Sequence, residues 1–447
     1  MRFSCFLWFD LPEKLKDVIE LYWKMRGEGK TSVGISAILF PLSLPNFPMA
    51  APIDPTSSSW LAARGWFSSR GHDHPVWVRL AGGRIAEISE KAPEGGSNLE
   101  ARGYLLPLLA DTHVHVYMEP WPVNPAQRAR PGSGDFESEV QVAMARVDRA
   151  LAEGVGLLRD MGDPSGINLE VKRRLAARGH AAPELQVTGT GFHRPKRYGR
   201  FLGVAREAVA EILAGIDALH ATGQLDCVKV VTTGIVDFAG ARMNQPPQYT
   251  LQELSQVVAH AHALGYRVAS HCSGQDGIDI NLDAGVDFIE HAYFTREDQA
   301  ARMASAGAYW TPTIAPVRVQ GRHPEADWEP AVRSSIETIL ADHGARLRYG
   351  AACGARILVG TDAGCPGVSM GAGLRIELAG LVEAGFTPAD ALRMATVDAA
   401  AALRPRRYRP TIEVGEAATF ALYEKCPWHD IAALDSLLEV RVDGRVI

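Results

Sequence analysis

The residues with the clearest chemical potential lie in the segment Asp111-Thr112-His113-Val114-His115, which follows an apolar run at Leu105–Ala110. On an extended chain, residues i and i+2 point to the same side. The imidazoles of His113 and His115 can therefore face a single metal ion. The pattern predicts a metal-binding pair at the end of a buried strand.

Two other H-x-H triplets occur in the chain, and neither has a backbone that suits a shared metal. His72-Asp73-His74 lies in a polar turn, where the side chains are expected to be solvated. His260-Ala261-His262 lies in a predicted helix, where residues i and i+2 diverge by about 200°. Of the three triplets, we therefore expect only His113 and His115 to bind a metal.

Four further residues of ligand type stand within or at the ends of later strand candidates. Lys229 lies within an apolar strand, and His271, His291 and Asp362 follow three others. A lysine in an apolar strand is rare unless it is paired or modified. Catalytic residues of a (β/α)₈ barrel gather at the carboxyl ends of its strands. Such a barrel would bring these four side chains to the H-x-H pair.

The elements that must position these residues form a repeating strand–helix alternation. A capping box at Thr250-Leu251-Gln252-Glu253 predicts a helix that ends before Gly265, and Thr387-Pro388 predicts the start of another. Eight strand–helix units in series indicate an α/β (β/α)₈ TIM barrel. The strand candidates are Leu105–Ala110, Val155–Arg159, Glu184–Thr188, Val228–Val231, Arg267–Ser270, Phe288–Glu290, Ala308–Thr311 and Arg356–Val359.

Short β segments with a different sequence pattern lie on both sides of this strand–helix alternation. Residues 60–102 and 411–447 combine alternating strands with turn pairs such as Gly82-Gly83 and Asp443-Gly444. We expect these two segments to form one small composite β-sandwich domain and residues 103–410 to form the barrel. Residues 1–59 are interpreted as a leader and linker.

Taken together, these motifs resemble the amidohydrolase superfamily of metal-dependent hydrolases, and most closely its Xaa-Pro dipeptidase-like and imidazolonepropionase-related branch. The resemblance implies two divalent ions, usually zinc. The first would be bound by His113, His115 and Asp362, and the second by His271 and His291. It also implies that Lys229 is N-carboxylated by CO₂ and bridges both ions together with a hydroxide.

The same resemblance suggests roles for residues around the metals. Asp362 would act as general base and then general acid, and Tyr249 would donate to the substrate carbonyl oxygen. His193 would bind a substrate carboxylate. Beside it, Arg194, Lys196 and Arg197 form a basic cluster in the same predicted loop, where Arg194 could contribute charge-assisted hydrogen bonds.

The expected activity is hydrolysis of a C–N amide or peptide bond in a small carboxylate-bearing substrate, such as a dipeptide or an N-acyl amino acid. Lactone, ester or phosphotriester hydrolysis on the same metals remains an alternative. A mononuclear deaminase is less favoured, because Lys229 is present and Gly274 stands where such deaminases often carry Glu. A non-catalytic assembly protein is least favoured, since such relatives usually lose metal ligands.

The composition of the chain limits the classes of molecule that it is expected to bind. The 447 residues carry 46 Lys and Arg against 52 Asp and Glu, a net charge of −6, so no basic field is available for nucleic acid. The apolar run Val33–Leu44 is too short to span a bilayer. The cysteines form no C-x-x-C pair, which favours a reducing, cytoplasmic setting. Export is the alternative if Met25 is the true start and Val33–Leu44 a signal-peptide core. Homo-oligomerisation is left open.

Overall fold

The computed structural model describes residues 58–94, 100–118, 120, 122–124, 135–179 and 182–447. Its centre is an α/β arrangement of parallel strands of the TIM-barrel kind, with eight strands in the chain order predicted from the sequence. They are β1 (Leu109–Val114), β2 (Val155–Asp160), β3 (Glu184–Val187), β4 (Cys227–Val231), β5 (Arg267–Cys272), β6 (Phe288–His291), β7 (Tyr309–Thr311) and β8 (Arg356–Ile357).

These strands pair in parallel within two sheets. One sheet joins β1, β2 and β3. The other runs from β4 to β8 in order and continues beyond β4 to the short strands Gly191–His193 and Gly203–Ala205. Backbone hydrogen bonds link the edges of the two sheets, from Thr112 N to Val359 O at 2.9 Å and from Asp226 N to Val187 O at 3.0 Å. Every residue of β1, β2 and β4 is buried, as expected for strands covered on both faces.

The first predicted strand, Leu105–Ala110, is wrong in its bounds. Residues Tyr104–Leu106 form one strand and β1 begins only at Leu109, so the predicted run spans two different sheets. Pro107 lies at the break, where its missing N–H cannot serve a strand ladder. As a consequence His113 lies inside β1 and His115 directly follows it.

Helices flank the strands and begin where the sequence predicts in the two clearest cases. Thr250 caps the helix Leu251–Ala263, its hydroxyl accepting from Glu253 N, and Thr387 caps Pro388–Arg393 through Asp390 N. The other described α-helices are Phe136–Ala152, Ile167–Ala177, Val209–Ala221, Gln275–Ala284, Glu297–Ala306, Ile314–Arg322, Pro330–Ala352, Ala372–Glu383 and Ala399–Leu403. A π-helical turn, Met394–Asp398, and a 3₁₀ turn, Ile431–Ser436, complete the set within the described ranges.

Strands from both ends of the chain pair with each other in two smaller sheets. Phe420–Tyr423 pairs antiparallel with Tyr104–Leu106, which the predicted boundary at residue 103 assigns to the barrel. The six-stranded sheet contains Gly65–Phe67, Gly71–His72, Tyr104–Leu106, Phe420–Tyr423, Leu437–Val442 and Arg445–Val446, and the three-stranded sheet contains Ser58–Ala63, Val76–Ala81 and Arg84–Ser89.

A separate apolar core belongs to these two sheets and draws on both chain ends. Its buried members are Ala63, Val76, Val78, Leu80, Ile85, Leu105, Ile412, Ala418, Phe420 and Leu422. Ser58 and Ser59, predicted as part of a linker, already belong to the first strand of the three-stranded sheet. The remainder of the predicted leader, including Val33–Leu44, lies outside the described residues. None of the helices in the described ranges is long and apolar enough to cross a membrane.

Candidate metal centre

The two histidines of the H-x-H motif meet Asp362 at the carboxyl end of β1. Asp362 Oδ1 lies 3.4 Å from His113 Nε2 and 3.2 Å from His115 Nε2. The three residues each offer a ligand atom, and these atoms lie within 4.8 Å of one another. This is the spacing of a shared metal, and it joins residues almost 250 positions apart in the chain.

The opposite nitrogen of each of these histidines is held by a protein acceptor. His113 Nδ1 lies 2.8 Å from Glu290 Oε2, and His115 Nδ1 lies 3.1 Å from the Gly162 carbonyl oxygen. A carbonyl or ionised carboxylate can only accept, so Nδ1 carries the proton in both rings. The Nε2 lone pairs are therefore directed to the metal position, in the manner that outer partners orient metal-binding histidines.

Glu290 is itself fixed by a buried ion pair with Arg159. Arg159 Nη2 donates to Glu290 Oε1 at 2.8 Å, and Arg159 Nε donates to the Thr112 carbonyl at 2.6 Å. Burial raises the pKa of Glu290, but Arg159 and His113 outweigh it and bring that pKa down to about 2. The carboxylate is thus ionised and acts as a permanent acceptor for His113.

The second predicted pair, His271 and His291, lies beside the first. The His291 ring centre is 4.4 Å from that of His271 and 5.0 Å from that of His113. His271 Nε2 donates to the Gly234 carbonyl at 3.1 Å, which leaves Nδ1 for a ligand. His291 Nδ1 lies 2.6 Å from Thr313 Oγ1, and that hydroxyl donates to the Pro312 carbonyl, so it accepts from His291.

Burial keeps these two rings neutral. It lowers the pKa of His271 to about 3 and that of His291 well below its ordinary value, with neighbouring positive groups adding to both shifts. His291 Nε2 is buried and has no hydrogen-bond partner among the described residues. A neutral imidazole with an unused buried lone pair is suited to bind a metal ion.

Lys229 is a buried amine without a partner. It lies in β4, is 1% exposed, and its Nζ makes no hydrogen bond to any described residue. Burial is the main cause that lowers its pKa, to about 8, although Glu290 and Asp362 act in the opposite direction. An isolated buried ammonium is costly. The site therefore fits a modified or metal-associated lysine better than a free one.

Asp111 of the H-x-H segment places the loop that carries Asp362. Its Oδ1 accepts from Thr361 N at 2.9 Å and its Oδ2 from Thr361 Oγ1 at 2.6 Å. Asp362 N donates to the His113 carbonyl at 2.7 Å, which ties the same loop to β1. Gly360 is required there, because a Cβ atom would lie 2.7 Å from His113 Cβ and 2.5 Å from Thr311 Cγ2.

Asp362 stays ionised in this surrounding. Burial raises its pKa, but the neighbouring imidazoles of His113, His115 and His291 hold that pKa well below its usual range. Its side chain is 15% exposed, more than those of its two partner histidines. The carboxylate can therefore act both as a ligand and as an acceptor for a proton from the cavity.

Backbone strain gathers at the same strand ends. His291, Ala292, Thr313 and Asp362 have φ values of 74°, 53°, 47° and 54°, in the left-handed region that non-glycine residues rarely adopt. Strain of about 1–3 kcal/mol per residue persists only where surrounding structure enforces it, and it clusters at functional sites. Here it falls on two of the predicted ligands, His291 and Asp362, and on Thr313, which orients His291.

The predicted substrate residues are placed around this centre in different ways. His193 ends the strand beside β4, and the pairing of Gly191 with Lys229 puts the His193 side chain on the same face as that of Lys229. Its Nδ1 lies 2.9 Å from the Arg194 carbonyl oxygen. His193 is 4% exposed.

Arg194 and Tyr249 are engaged by other protein groups. The Arg194 guanidinium pairs with Glu253 at 2.5 Å and also reaches the Gln248 and Glu207 carbonyls. The Tyr249 hydroxyl donates to the Phe192 carbonyl at 2.9 Å, and the Arg194 guanidinium lies 5.0 Å from the Tyr249 ring centre. Their contacts with substrate stay predictions.

Several residues of the centre were missed by sequence reasoning. Arg159 and Glu290 are charged residues in fully buried strands, the same signal that drew attention to Lys229. Thr313 and Gly162 carry no comparable signal, because their role lies in a hydroxyl or carbonyl placed by the fold. The helical pair His260 and His262 turns outward to Asp217 and Asp287, as expected for residues that cannot share a metal.

Comparison with known proteins shows the family of this chain. The profile of the amidohydrolase family matches residues 104–447. An uncharacterized protein of Mycobacterium tuberculosis (strain ATCC 25618 / H37Rv) is 27% identical over 344 residues, which cover 76% of this chain and 84% of that protein.

Two solved structures share the fold. A Xaa-Pro dipeptidase with bound methionine in the active site superposes with a TM-score of 0.73 at 23% identity, covering 88% of this chain and all of that one. A prolidase complexed with N-methylphosphonate-L-proline gives a TM-score of 0.70 at 20% identity, covering 88% of this chain and 99% of the other.

The chain belongs to the amidohydrolase family. This confirms the resemblance noted from the H-x-H motif and the later strand ends. It also confirms the predicted enzyme class, a metal-dependent hydrolase that acts on carbon–nitrogen bonds.

Proposed function

We propose that this enzyme hydrolyses the C–N bond of a small carboxylate-bearing substrate, a dipeptide or an N-acyl amino acid, with two divalent metal ions bound at the strand ends. The observation that carries the proposal is the common orientation of four histidines. Each has one ring nitrogen committed to a fixed acceptor and the other free for a metal.

The residues present suit a two-metal site. His113, His115 and Asp362 would bind one ion, and His271 and His291 the other. Lys229 would bridge them as a carbamate, formed when its neutral amine adds CO₂ and releases a proton. The orphaned Nζ and its lowered pKa favour that reaction. Histidine ligands suit ions of the zinc type, which lower the pKa of bound water and polarise a carbonyl oxygen.

The protein groups then handle substrate and protons. The ionised Asp362 carboxylate would accept a proton from the attacking water and deliver it to the leaving nitrogen. His193 would bind the substrate carboxylate through Nε2, because it lies one residue pair beyond Lys229 on the same face. The engaged guanidinium of Arg194 holds the same loop against Glu253.

We further propose that the two strand sets close into a complete (β/α)₈ barrel. The backbone hydrogen bonds from Thr112 to Val359 and from Asp226 to Val187 support closure at both edges. The shared core of the two smaller sheets supports a composite β-sandwich domain built from both chain ends. The fold similarity to the solved Xaa-Pro dipeptidase and prolidase also supports the closed barrel. The prolidase is complexed with a derivative of L-proline, an amino acid with a free carboxylate, which supports a carboxylate-bearing substrate for this enzyme.

The experiment compares free acids with their amides. Zinc-loaded enzyme should hydrolyse a dipeptide or N-acyl amino acid at least tenfold better, by kcat/KM, than the same compound with its carboxylate amidated, a difference of about 1.4 kcal/mol. His193→Ala should remove most of this preference with both metals still bound, whereas His220→Ala, at an exposed helix end, should leave it unchanged. Equal rates on acid and amide would overturn the carboxylate assignment.

A further inference from the structure

A second group of ligand-type side chains lies in the six-stranded sheet region, apart from the strand ends of the barrel. Asp73 follows the strand Gly71–His72, and Cys426 and His429 lie in a turn after Phe420–Tyr423. Ligand atoms of the three residues all lie within 4.8 Å of one another. His429 Nε2 is 3.0 Å from Asp73 Oδ2, and Cys426 is a free, partly buried cysteine.

A buried tryptophan fixes the carboxylate of this group. Trp428 Nε1 donates to Asp73 Oδ1 at 2.8 Å, which leaves Oδ2 directed at His429. The indole is 5% exposed and packs against the rings of Phe67 and Tyr104, with centres 5.9 and 5.4 Å away. A hydrogen bond of this kind orients a metal-binding carboxylate in the same way that Glu290 orients His113.

The local backbone also holds the other two donors together. The N–H groups of His429 and Asp430 donate to the Cys426 carbonyl at 3.3 and 3.2 Å, which forms a tight turn. In such a turn, residues three apart come to the same side. The Trp428 indole packs directly against Gly71, where a Cβ atom would lie only 2.1 Å from Trp428 Cδ1. Glycine is therefore required at this position.

The donor types select a class of metal. Thiolate, imidazole and carboxylate together suit zinc and similar transition-metal ions, whereas calcium and magnesium prefer oxygen ligands alone. The two histidines on either side of Asp73 contact other residues. His72 stacks on Trp66 with ring centres 4.3 Å apart, and His74 Nε2 pairs with Glu90 at 2.9 Å. Three protein ligands therefore leave a fourth position for water.

An exposed ion pair between Asp73 and His429 is the simpler reading of these contacts. Such a pair contributes little and needs no buried partner. It does not account for the buried indole that sets the carboxylate, or for a thiol placed against both charged groups. A hydrogen bond that fixes the carboxylate and a turn that brings the thiol and the imidazole together are both consistent with a metal site.

We propose that Asp73, Cys426 and His429 form a zinc-type metal site, independent of the barrel centre. The bound ion would connect two segments that lie 356 positions apart in the chain. Because the site forms only in the folded protein, binding would stabilise the pairing of the two chain ends. Cys426 would release its proton on binding.

Cobalt provides the direct test, because a cobalt–thiolate bond has a charge-transfer band in the near-ultraviolet that histidine, lysine and aspartate ligands lack. The full chain loaded with Co²⁺ should show this band, and Cys426→Ser should abolish it and lower bound metal by one ion per chain. Cys353→Ser, at an exposed helix end, is the matched control and should keep both. His429→Ala should weaken the band.

Stability and the origin of the sulfur signal provide the second readout. Zn²⁺ should raise the Tm of the parent protein more than that of Cys426→Ser. Absence of the band in the parent, or its persistence in Cys426→Ser, would overturn the proposal. So would its loss in Cys365→Ser instead, since Cys365 lies beside Asp362 in the barrel site. These outcomes are separate from hydrolysis, so failure of one proposal leaves the other standing.

Discussion

The substitution Glu290→Gln tests how far the metal centre depends on one buried carboxylate. Glu290 is fully buried and joins Arg159 to His113, with both contacts at 2.8 Å. Glutamine keeps the shape but has one acceptor oxygen in place of two. Either Arg159 or His113 must then face an amide NH₂ group, donor against donor.

The expected cost has two parts. Removing one partner of a buried ion pair destabilises a protein by about 3–5 kcal/mol, because the remaining charge is left uncompensated. Changing the outer partner of a metal-binding histidine typically weakens metal binding by about 10–100-fold. The two effects arise in different states, so metal-free protein should show the first and metal titration the second.

Urea unfolding of metal-free protein measures the stability change, and competition with a chelator measures the metal affinity. Glu87→Gln is the matched control, because Glu87 pairs with Arg79 at 3.2 Å on the surface. An exposed pair contributes about 0–1 kcal/mol. The control should therefore leave both quantities nearly unchanged.

The pH dependence of the stability difference between parent and Glu290→Gln provides a second test. The folded-state pKa of Glu290 is depressed to about 2, below the ordinary value near 4.3, so its stabilisation is present above that ordinary value and is lost as pH falls towards 2. The gap between parent and Glu290→Gln should narrow over this range. A gap below 1 kcal/mol at pH 7 together with unchanged metal affinity would refute the reasoning.

Three further outcomes are expected. Active enzyme should contain about two barrel ions per chain, and His271→Ala should lose one of them with most of the activity; elemental analysis that finds one ion in active parent protein would contradict this. Lys229→Ala should be inactive and partly restored by a short carboxylic acid, which supplies the missing anionic oxygen; full activity without the acid would make the lysine structural. Burial raises the pKa of Glu377 to about 8, so parent stability should fall between pH 4 and 8 relative to Glu377→Gln, as urea unfolding across that range would show; a constant difference would argue against a buried neutral acid.

Much of this arrangement could be predicted from the sequence because it depends on local patterns. Buried parallel strands are short apolar runs, and an imidazole, amine or carboxylate at their ends is conspicuous. The H-x-H spacing needs only an extended backbone to bring His113 and His115 to one side. The capping box at Thr250 similarly needs only the hydroxyl and the Glu253 side chain to define a helix start.

The parts that local patterns do not reveal depend on contacts between distant segments. Pro107 interrupts the apolar run Leu105–Ala110, but the run does not show that the chain leaves one sheet there and joins another. The hydroxyl of Tyr249 donates to Phe192, a partner 57 positions away that no local pattern reveals. The choice of acceptor follows from strand order, which is a property of the whole fold.

The orientation of the histidines proposed as metal ligands also depends on contacts between distant segments. His113 on β1 is oriented by Glu290 on β6, and His291 on β6 is oriented by Thr313, which follows β7. The tautomer of each of these two proposed ligands is therefore set by a strand unit other than its own. Correct strand register is thus a condition for a free metal-binding lone pair, since a slip of one residue would turn the ligand or its acceptor to the other face. If these histidines bind the metal ions as proposed, metal affinity depends on sheet register as well as on ligand identity.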